Sequence, residues 1–223
     1  MENSGKTVCY TCVTGGYDKV VDPVVVPENV DFVCFSDKPV DSKVWKRREM
    51  PEGLMDMGPV KAQRVVKICP HRYLPEYQTS VWVDGNVTVN GDVSKFAAKY
   101  DLSRYPLYVR VHPSRNCIYR ELDAVLAFGK DKSGLARQQV ARYRAEGYPE
   151  KAGMAETCIL LRRHSDRECA RLCDAWAVEV MRWSERDQLS FGYVCRKLGF
   201  VPGCLSYEFD MRSCPVFGLR RHG

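Results

Sequence analysis

The chain has 223 residues, of which 34 are Lys or Arg and 28 are Asp or Glu, so its formal net charge is +6. No stretch reaches the roughly 18 consecutive apolar residues that span a membrane, and the short polar segment 1–6 indicates no export signal. Basic and acidic residues alternate along the chain without an aromatic and basic binding face, which argues against a nucleic-acid-binding protein. We therefore expect one domain over residues 1–223, with no membrane span and no nucleic-acid partner.

The eleven cysteines have irregular spacing, and several lie inside apolar runs. Free cysteine behaves as a small buried hydrophobe, so we expect reduced core cysteines and a cytoplasmic protein. A soluble domain of a membrane-associated protein is the alternative. Cys9 and Cys12 form a Cys-x-x-Cys motif within a predicted strand, where residues three apart point to opposite faces. The motif therefore predicts no metal or redox site.

In chain order, β-branched and aromatic runs predict strands over residues 7–14, 30–36, 80–83, 106–111 and 157–161. Helical periodicity and Pro59 at a first turn predict helices over residues 59–69, 115–129 and 133–147. Two further helices are expected after the capping-box patterns Ser165/Glu168 and Ser184/Asp187. Strands alternate with helices throughout, which predicts an α/β fold with a mixed, mostly parallel central sheet flanked by helices.

Polar turns follow several of the predicted strands, at 14–18, Asp37, 84–86 and 162–166. In a parallel sheet, ligands bind at the carboxyl ends of the strands. We therefore expect these four turns to surround the functional site.

Asp84-Gly85-Asn86 is the strongest local signal, because an apolar strand delivers a carboxylate and an amide two residues apart in a tight turn. Such oxygen donors suit a divalent cation that keeps positions open for substrate phosphates. A β-hairpin with an Asp-Gly turn is the structural alternative.

Lys61, Arg64 and Lys67 lie on overlapping faces of the helix upstream of that turn. They are candidates to bind a diphosphate. The alternative is a solvent-exposed helix face.

Three more segments carry candidate polar residues. His112 and Arg115 precede a helix N-terminus, where backbone N–H groups favour anions. Glu156 begins a strand, and Asp187 and Gln188 begin the last predicted helix. Asp187 has a structural alternative as a capping residue.

Seven segments, taken together and in order, resemble the glycosyltransferase-like domain of plant proteins of seed-mucilage synthesis and turgor regulation and of bacterial relatives. The matching segments, which span nearly the whole chain, are residues 10–18, 31–37, 67–89, 112–121, 138–149, 153–164 and 186–191. The resemblance implies a single GT-A-like (Rossmann-like) domain that binds a nucleotide-diphosphate sugar.

The resemblance also implies roles for individual residues. A nucleotide- and donor-binding set is expected from Thr11, Thr14, Gly15, Tyr17, Asp37, Lys61, Arg64, His112, Arg115 and Gln188. The metal ligands implied for Mn²⁺ or Mg²⁺ are Asp84, Asn86 and His222, with Asn86 where such enzymes usually have a second Asp. Asp187 and Glu156 are the candidate catalytic carboxylates: one of them would contact the acceptor hydroxyl and, in an inverting enzyme, act as its general base.

The expected activity is metal-assisted transfer of a sugar from a nucleotide-diphosphate donor to a hydroxyl acceptor, a glycan or polysaccharide. One alternative is a hydrolase acting on a lipid or glycoside, although the chain has no Gly-x-Ser-x-Gly nucleophile motif. The other is an inactive nucleotide-sugar-binding module, which the amide at position 86 keeps open.

Overall fold

A computed structural model describes residues 6–131, 133–205 and 214–221. Its nine strands are β1 (Thr7–Val13), β2 (Val30–Ser36), β3 (Lys46–Arg48), β4 (Thr79–Val83), β5 (Val87–Val89), β6 (Leu107–Val111), β7 (Ala155–Arg163), β8 (Gly203–Leu205) and β9 (Phe217–Leu219). Its seven α-helices are α1 (Pro59–Ile68), α2 (Pro70–Tyr73), α3 (Val93–Ala97), α4 (Ile118–Ala127), α5 (Leu135–Ala145), α6 (Arg167–Arg182) and α7 (Asp187–Leu198). These counts cover the described ranges, in which no helix is long and apolar enough to cross a membrane.

Seven strands form the central sheet in the order β3-β2-β1-β4-β7-β6-β8. Strands β3, β2, β1 and β4 run parallel to one another, and β8 runs parallel to β6. Strand β7 is antiparallel to both of its neighbours, β4 and β6. The predicted mixed, mostly parallel α/β sheet is confirmed.

The direction of β7 changes which residues meet at the ligand-binding edge. We expected the polar turn 162–166 to lie there, and this expectation is wrong because an antiparallel strand presents its first residues at that edge. Residues 155–157 take the place instead, next to the carboxyl end of β4. Arg162 lies inside β7 and is fully buried.

Asp84-Gly85-Asn86 does not form a hairpin turn, because β4 pairs with β1 and β7 whereas β5 pairs with β9 in a separate two-stranded sheet. The two predicted capping boxes are also wrong. Asp166, not Ser165, accepts the N–H groups of Glu168 and Cys169 at the start of α6. Helix α7 begins after Arg186 without a side-chain cap.

Apolar side chains fill both faces of the sheet. One core includes Tyr10, Trp82 and Leu160 beneath α1 and α4–α7, and the other includes Phe32, Val83 and Phe217. Cys9 lies in the second core and Cys12 in the first, as predicted from the strand period. The described cysteines carry free thiols.

Arg162 joins the C-terminal end of α1 to the sheet. Its guanidinium donates to the carbonyl oxygens of Lys67 at 2.9 Å and Ile68 at 3.2 Å, and also to the hydroxyl of Tyr10. The Tyr10 hydroxyl donates to the same Lys67 carbonyl at 2.5 Å. A cation at a helix C-terminus is favourable, so this contact fixes the last turn of α1.

Replacing Arg162 with Met should lower the free energy of unfolding by about 3 kcal/mol, because buried carbonyl groups lose a charged hydrogen-bond donor. Urea unfolding measures the change. Arg163→Met is the matched control, since Arg163 forms only a partly exposed ion pair with Asp166 at 2.9 Å, a type worth less than about 1 kcal/mol. Equal losses in the two variants would contradict this role of Arg162.

Candidate functional site

A cleft of about 1420 Å³ opens at the carboxyl ends of the parallel strands. Its walls come from the loop after β1, the helix α1, the turn after β4, the start of β7, the segment from α4 to α5, and the start of α7. The cleft therefore lies where an open α/β sheet places ligands.

Lys67 lies at the centre of the polar cluster on the cleft floor. Its Nζ is 2.8 Å from Asp187 Oδ2 and 3.1 Å from Asp84 Oδ1, and it is 3.1 Å from Thr157 Oγ1. The residue is only 1% exposed. Thr157 donates to Asp187 Oδ2 at 2.8 Å, and Trp82 Nε1 donates to Asp84 Oδ1 at 2.7 Å. The solvated-face alternative is therefore wrong for Lys67, which links two carboxylates.

Asp187 is 3% exposed. Burial by itself raises the pKa of Asp187, but the ammonium of Lys67 and the guanidinium of Arg64 outweigh it and hold that pKa well below the usual range. The backbone carbonyl of Asp187 accepts from Trp176 Nε1 at 2.9 Å. The carboxylate is thus fixed in place by cations and by the packing of α6 against α7.

The other basic residues of α1 face the same cleft. Arg64 Nε is 3.6 Å from Asp187 Oδ1 and donates to the Glu185 carbonyl at 3.3 Å. Lys61 is half-buried and donates to the Met181 carbonyl at 2.7 Å. Three cations one turn apart thus line a single wall of the cleft.

The turn after β4 offers oxygen donors to the cleft. The Asp84 side chain is 28% exposed, and Asn86 also lines the cleft. A Cβ at Gly85 would lie 3.0 Å from Asp18 Oδ2 and 3.3 Å from Val13, so glycine allows the loop after β1 to close over this turn. Carboxylate and amide oxygens match a hard divalent cation that takes its remaining ligands from substrate phosphates. The residues present therefore suit Mg²⁺ or Mn²⁺.

Glu156 is brought to the cleft by an irregularity in β7. Val109 of β6 pairs with Leu160, whereas Arg110 pairs with Glu156. The shift leaves Thr157 and its two successors opposite no residue of β6, and bulges of this kind often lie next to active sites. Glu156 forms an ion pair with Arg110 and keeps 22% of its side chain exposed.

His112, Arg115 and Gln188 line the cleft, but each also has a structural contact. His112 Nδ1 accepts the backbone N–H groups of Ser114 and Arg115, at 3.2 and 3.1 Å. Burial lowers the pKa of His112, and the charge of Arg115 lowers it further. Arg115 forms an ion pair with the buried Glu121. Gln188 Nε2 donates to the Ala155 carbonyl at 3.2 Å.

The loop after β1 also lines the cleft, with Thr14, Gly15 and Tyr17 among the lining residues. Asp37 lies outside the lining and acts on this loop, since both of its carboxylate oxygens accept from the Gly15 N–H at 3.1 Å. Thr11 was expected to bind the nucleotide, but it is 2% exposed within β1 and does not line the cleft. Thr11 lies inside β1, before the loop begins, and its side chain is buried with those of the strand.

The predicted metal ligand His222 lies outside the described residues. Of the predicted donor, metal and catalytic residues that the structure describes, all except Thr11 and Asp37 line the cleft. Sequence reasoning left Lys67 out of the donor-binding set and missed Thr157. The available signal was spacing, because Lys67 follows Arg64 by three residues and so shares its face of α1.

Comparisons with known proteins agree with this fold. The family described as TOD1/MUCI70, glycosyltransferase-like domain, matches residues 1–212. The chain belongs to this family. Probable hexosyltransferase MUCI70 of Arabidopsis thaliana is 28% identical over 208 residues, which cover 79% of this chain and 36% of that protein. The chain thus corresponds to little more than a third of its curated relative.

Two solved structures resemble the fold at low sequence identity. The WbbM bifunctional glycosyltransferase in its apo form matches with a TM-score of 0.51 at 10% identity, over 92% of this chain and 39% of that chain. The apo form of mouse xyloside xylosyltransferase 1 matches with a TM-score of 0.51 at 8% identity, over 90% and 84%. The fold is therefore that of GT-A glycosyltransferases, as predicted.

The low pKa of Asp187 predicts an acid-dependent stability. Its unfolded-state pKa is about 3.9, and the folded value lies below it, so its ion pairs stabilise the protein fully above that pH and are lost as the pH falls toward the folded value. Asp187→Asn should be less stable than wild type at neutral pH, and the difference should narrow below about pH 4. Urea unfolding across this pH range measures it.

Lys67→Met serves as the control, because it removes the main counter-charge while leaving the carboxylate. In the Lys67→Met background, adding Asp187→Asn should lower the free energy of unfolding at neutral pH by less than it does in wild type. If the difference in free energy of unfolding between wild type and Asp187→Asn stays constant down to the lowest pH, the result contradicts the buried ion pair.

Proposed function

We propose that this domain transfers a sugar from a nucleotide-diphosphate donor to a hydroxyl acceptor of a glycan. The observation that carries the proposal is the cluster of Lys67, Asp84, Asp187 and Arg64 on the floor of a large cleft at the strand ends. Membership of a glycosyltransferase-like family and the similarity to a probable plant hexosyltransferase support it.

The donor diphosphate would lie between the turn after β4 and the N-terminal part of α1. Asp84 and Asn86 would hold Mn²⁺ or Mg²⁺, which when bound stabilises negative charge on the leaving phosphate. Lys61 and Arg64 reach the same region and would stabilise that charge as well. The loop of Thr14, Gly15 and Tyr17 would contact the nucleoside.

Lys67 and Asp187 would lie next to the donor sugar and position it, and they would not take part in proton transfer. Both Asp187 oxygens face cations, and its lowered pKa makes it a poor base. Glu156 is the more exposed carboxylate, so we assign it the contact with the acceptor hydroxyl. In an inverting reaction it would be the general base.

Nucleotide binding tests the donor site. Thermal shifts are measured with UDP, GDP, CDP and ADP, each with Mn²⁺ or with EDTA, on wild type, Asp84→Ala and Lys61→Met. A nucleotide at ~100 times its dissociation constant adds ~2.7 kcal/mol to native stability. We expect one nucleotide to stabilise wild type in the presence of Mn²⁺ and to lose this effect in both variants.

Asp56→Ala, an exposed acid outside the cleft, is the control and should behave as wild type. No shift with any nucleotide in folded protein would reject the proposal.

Glu156→Gln tests the acceptor role separately. We expect it to keep the nucleotide-induced shift but to lower acceptor-dependent turnover by about 10²-fold or more, the usual contribution of a positioned base. Release of the nucleoside diphosphate from the matching nucleotide sugar is followed with and without methyl glycosides as acceptors. Glu150→Gln, an exposed acid paired with Arg144, should leave turnover unchanged. A Glu156→Gln enzyme with full turnover would remove Glu156 from the mechanism.

A further inference from the structure

A second cluster of metal-ligating side chains lies at the other end of α1, outside the cleft lining. The thiol sulfur of Cys69, a ring nitrogen of His71 and a carboxylate oxygen of Asp174 all lie within 4.8 Å of one another. Cys69 joins α1 to α2, His71 lies in α2 and Asp174 in α6. Among the described residues this is the one group of three His, Cys, Asp or Glu ligand atoms that lie so close together.

The histidine is oriented as a ligand would be. His71 Nε2 is 2.8 Å from Asp174 Oδ1, and its Nδ1 is buried with no hydrogen-bond partner among the residues that the structure describes. Metal ions bind the neutral imidazole ring. Nε2 is therefore the ring nitrogen that would bind a metal ion together with Asp174.

The surroundings give the cluster a closed and an open side. Cys69 is fully buried, whereas the Asp174 side chain is 42% exposed. Arg72 holds Asp174 Oδ1 through Nε at 2.9 Å and Nη2 at 2.7 Å, the kind of outer contact that orients metal ligands. A metal ion could therefore enter from solvent, next to a fixed carboxylate.

We propose that Cys69, His71 and Asp174 bind one Zn²⁺ ion. A thiolate, an imidazole and a carboxylate are the ligands that zinc takes, whereas Mg²⁺ and Ca²⁺ prefer oxygen alone. Zinc bonds of about 2.0–2.3 Å place tetrahedral ligand atoms about 3.3–3.8 Å apart. His71 Nε2 and Asp174 Oδ1, now 2.8 Å apart, would separate by about 0.5 Å, and the other pairs would close by at most about 1–1.5 Å. Water completes the tetrahedron on the open side. Binding releases the Cys69 thiol proton to solvent, because the thiolate is the ligand.

The ion would tie the junction of α1 and α2 to α6. Lys67 lies two residues before Cys69, so zinc would stabilise the helix end whose carbonyl groups Arg162 holds. The site is independent of the proposed transferase activity. A protein without that activity could still bind zinc here.

Cobalt substitution tests the proposal on the full chain. Protein stripped with a chelator is titrated with Co²⁺, and we expect one equivalent to produce a thiolate-to-cobalt absorption band that Zn²⁺ then abolishes. Cys69→Ser should lose the band. Asp174→Asn should keep the fold and weaken Zn²⁺ binding at least 10-fold. Cys204→Ser, an exposed thiol, and Glu168→Gln, an exposed acid of α6, are matched controls that should bind as wild type.

Asp84→Ala should keep the band, which separates this site from the cleft. Absence of the band in wild type, or a full band in folded Cys69→Ser, would overturn the proposal. If Cys69→Ser does not fold, Asp174→Asn decides: an unchanged Zn²⁺ affinity and cobalt spectrum would equally overturn it.

Discussion

The buried ammonium of Lys67 is the interaction on which the rest of the site depends. Removing a charge from water costs several kcal/mol even after relaxation, so Lys67 is tolerated only because two carboxylates and a hydroxyl lie within about 3 Å of it. These partners come from β4, β7 and α7, which are distant in sequence. A single side chain therefore requires three elements to meet in one arrangement.

Several buried contacts position this charge cluster from behind. Arg162 and Tyr10 fix the carbonyl group of Lys67, and Trp176 fixes that of Asp187. Trp82 holds Asp84 from within β4. Because the polar groups rest on strands and helix ends rather than on long loops, they need little reorganisation when a ligand binds, which is the arrangement that favours electrostatic stabilisation.

The sequence predicts the layers of the fold well and the pairing of the strands less well. Apolar strands and periodic helices mark five of the nine described strands and five of the seven described α-helices, because burial on one face leaves a period that can be read locally. The short elements β3, β5, β8, β9, α2 and α3 were not predicted. The antiparallel course of β7 and the pairing of β5 with β9 leave no such mark, since they depend on contacts between distant segments. Arg162 shows the consequence: a charged residue after an apolar run looks like the start of a turn, yet here it lies within the strand and binds the end of α1.

The same limit applies to the site. Asp84, Asn86, Glu156 and Asp187 could be predicted because each is a polar residue at the end or start of an apolar element. The burial of Lys67 could not be predicted, because it depends on contacts with Asp84, Thr157 and Asp187, which are distant in sequence.

The balance of charges in this cluster explains why Lys67 alone would not neutralise the negative charge of a diphosphate. Lys67 and Arg64 are matched by Asp84 and Asp187, so this cluster has no surplus of positive charge. Under the proposed function, the negative charge of a diphosphate would be met by Lys61, by Lys130 and Arg186 elsewhere in the cleft lining, and by a cation that comes with the ligand. A divalent ion on the exposed side of Asp84 would supply it, and the acidic partners would keep the empty cleft from binding anions without that ion. This is the physical reason to expect nucleotide binding and metal binding to be coupled in this protein.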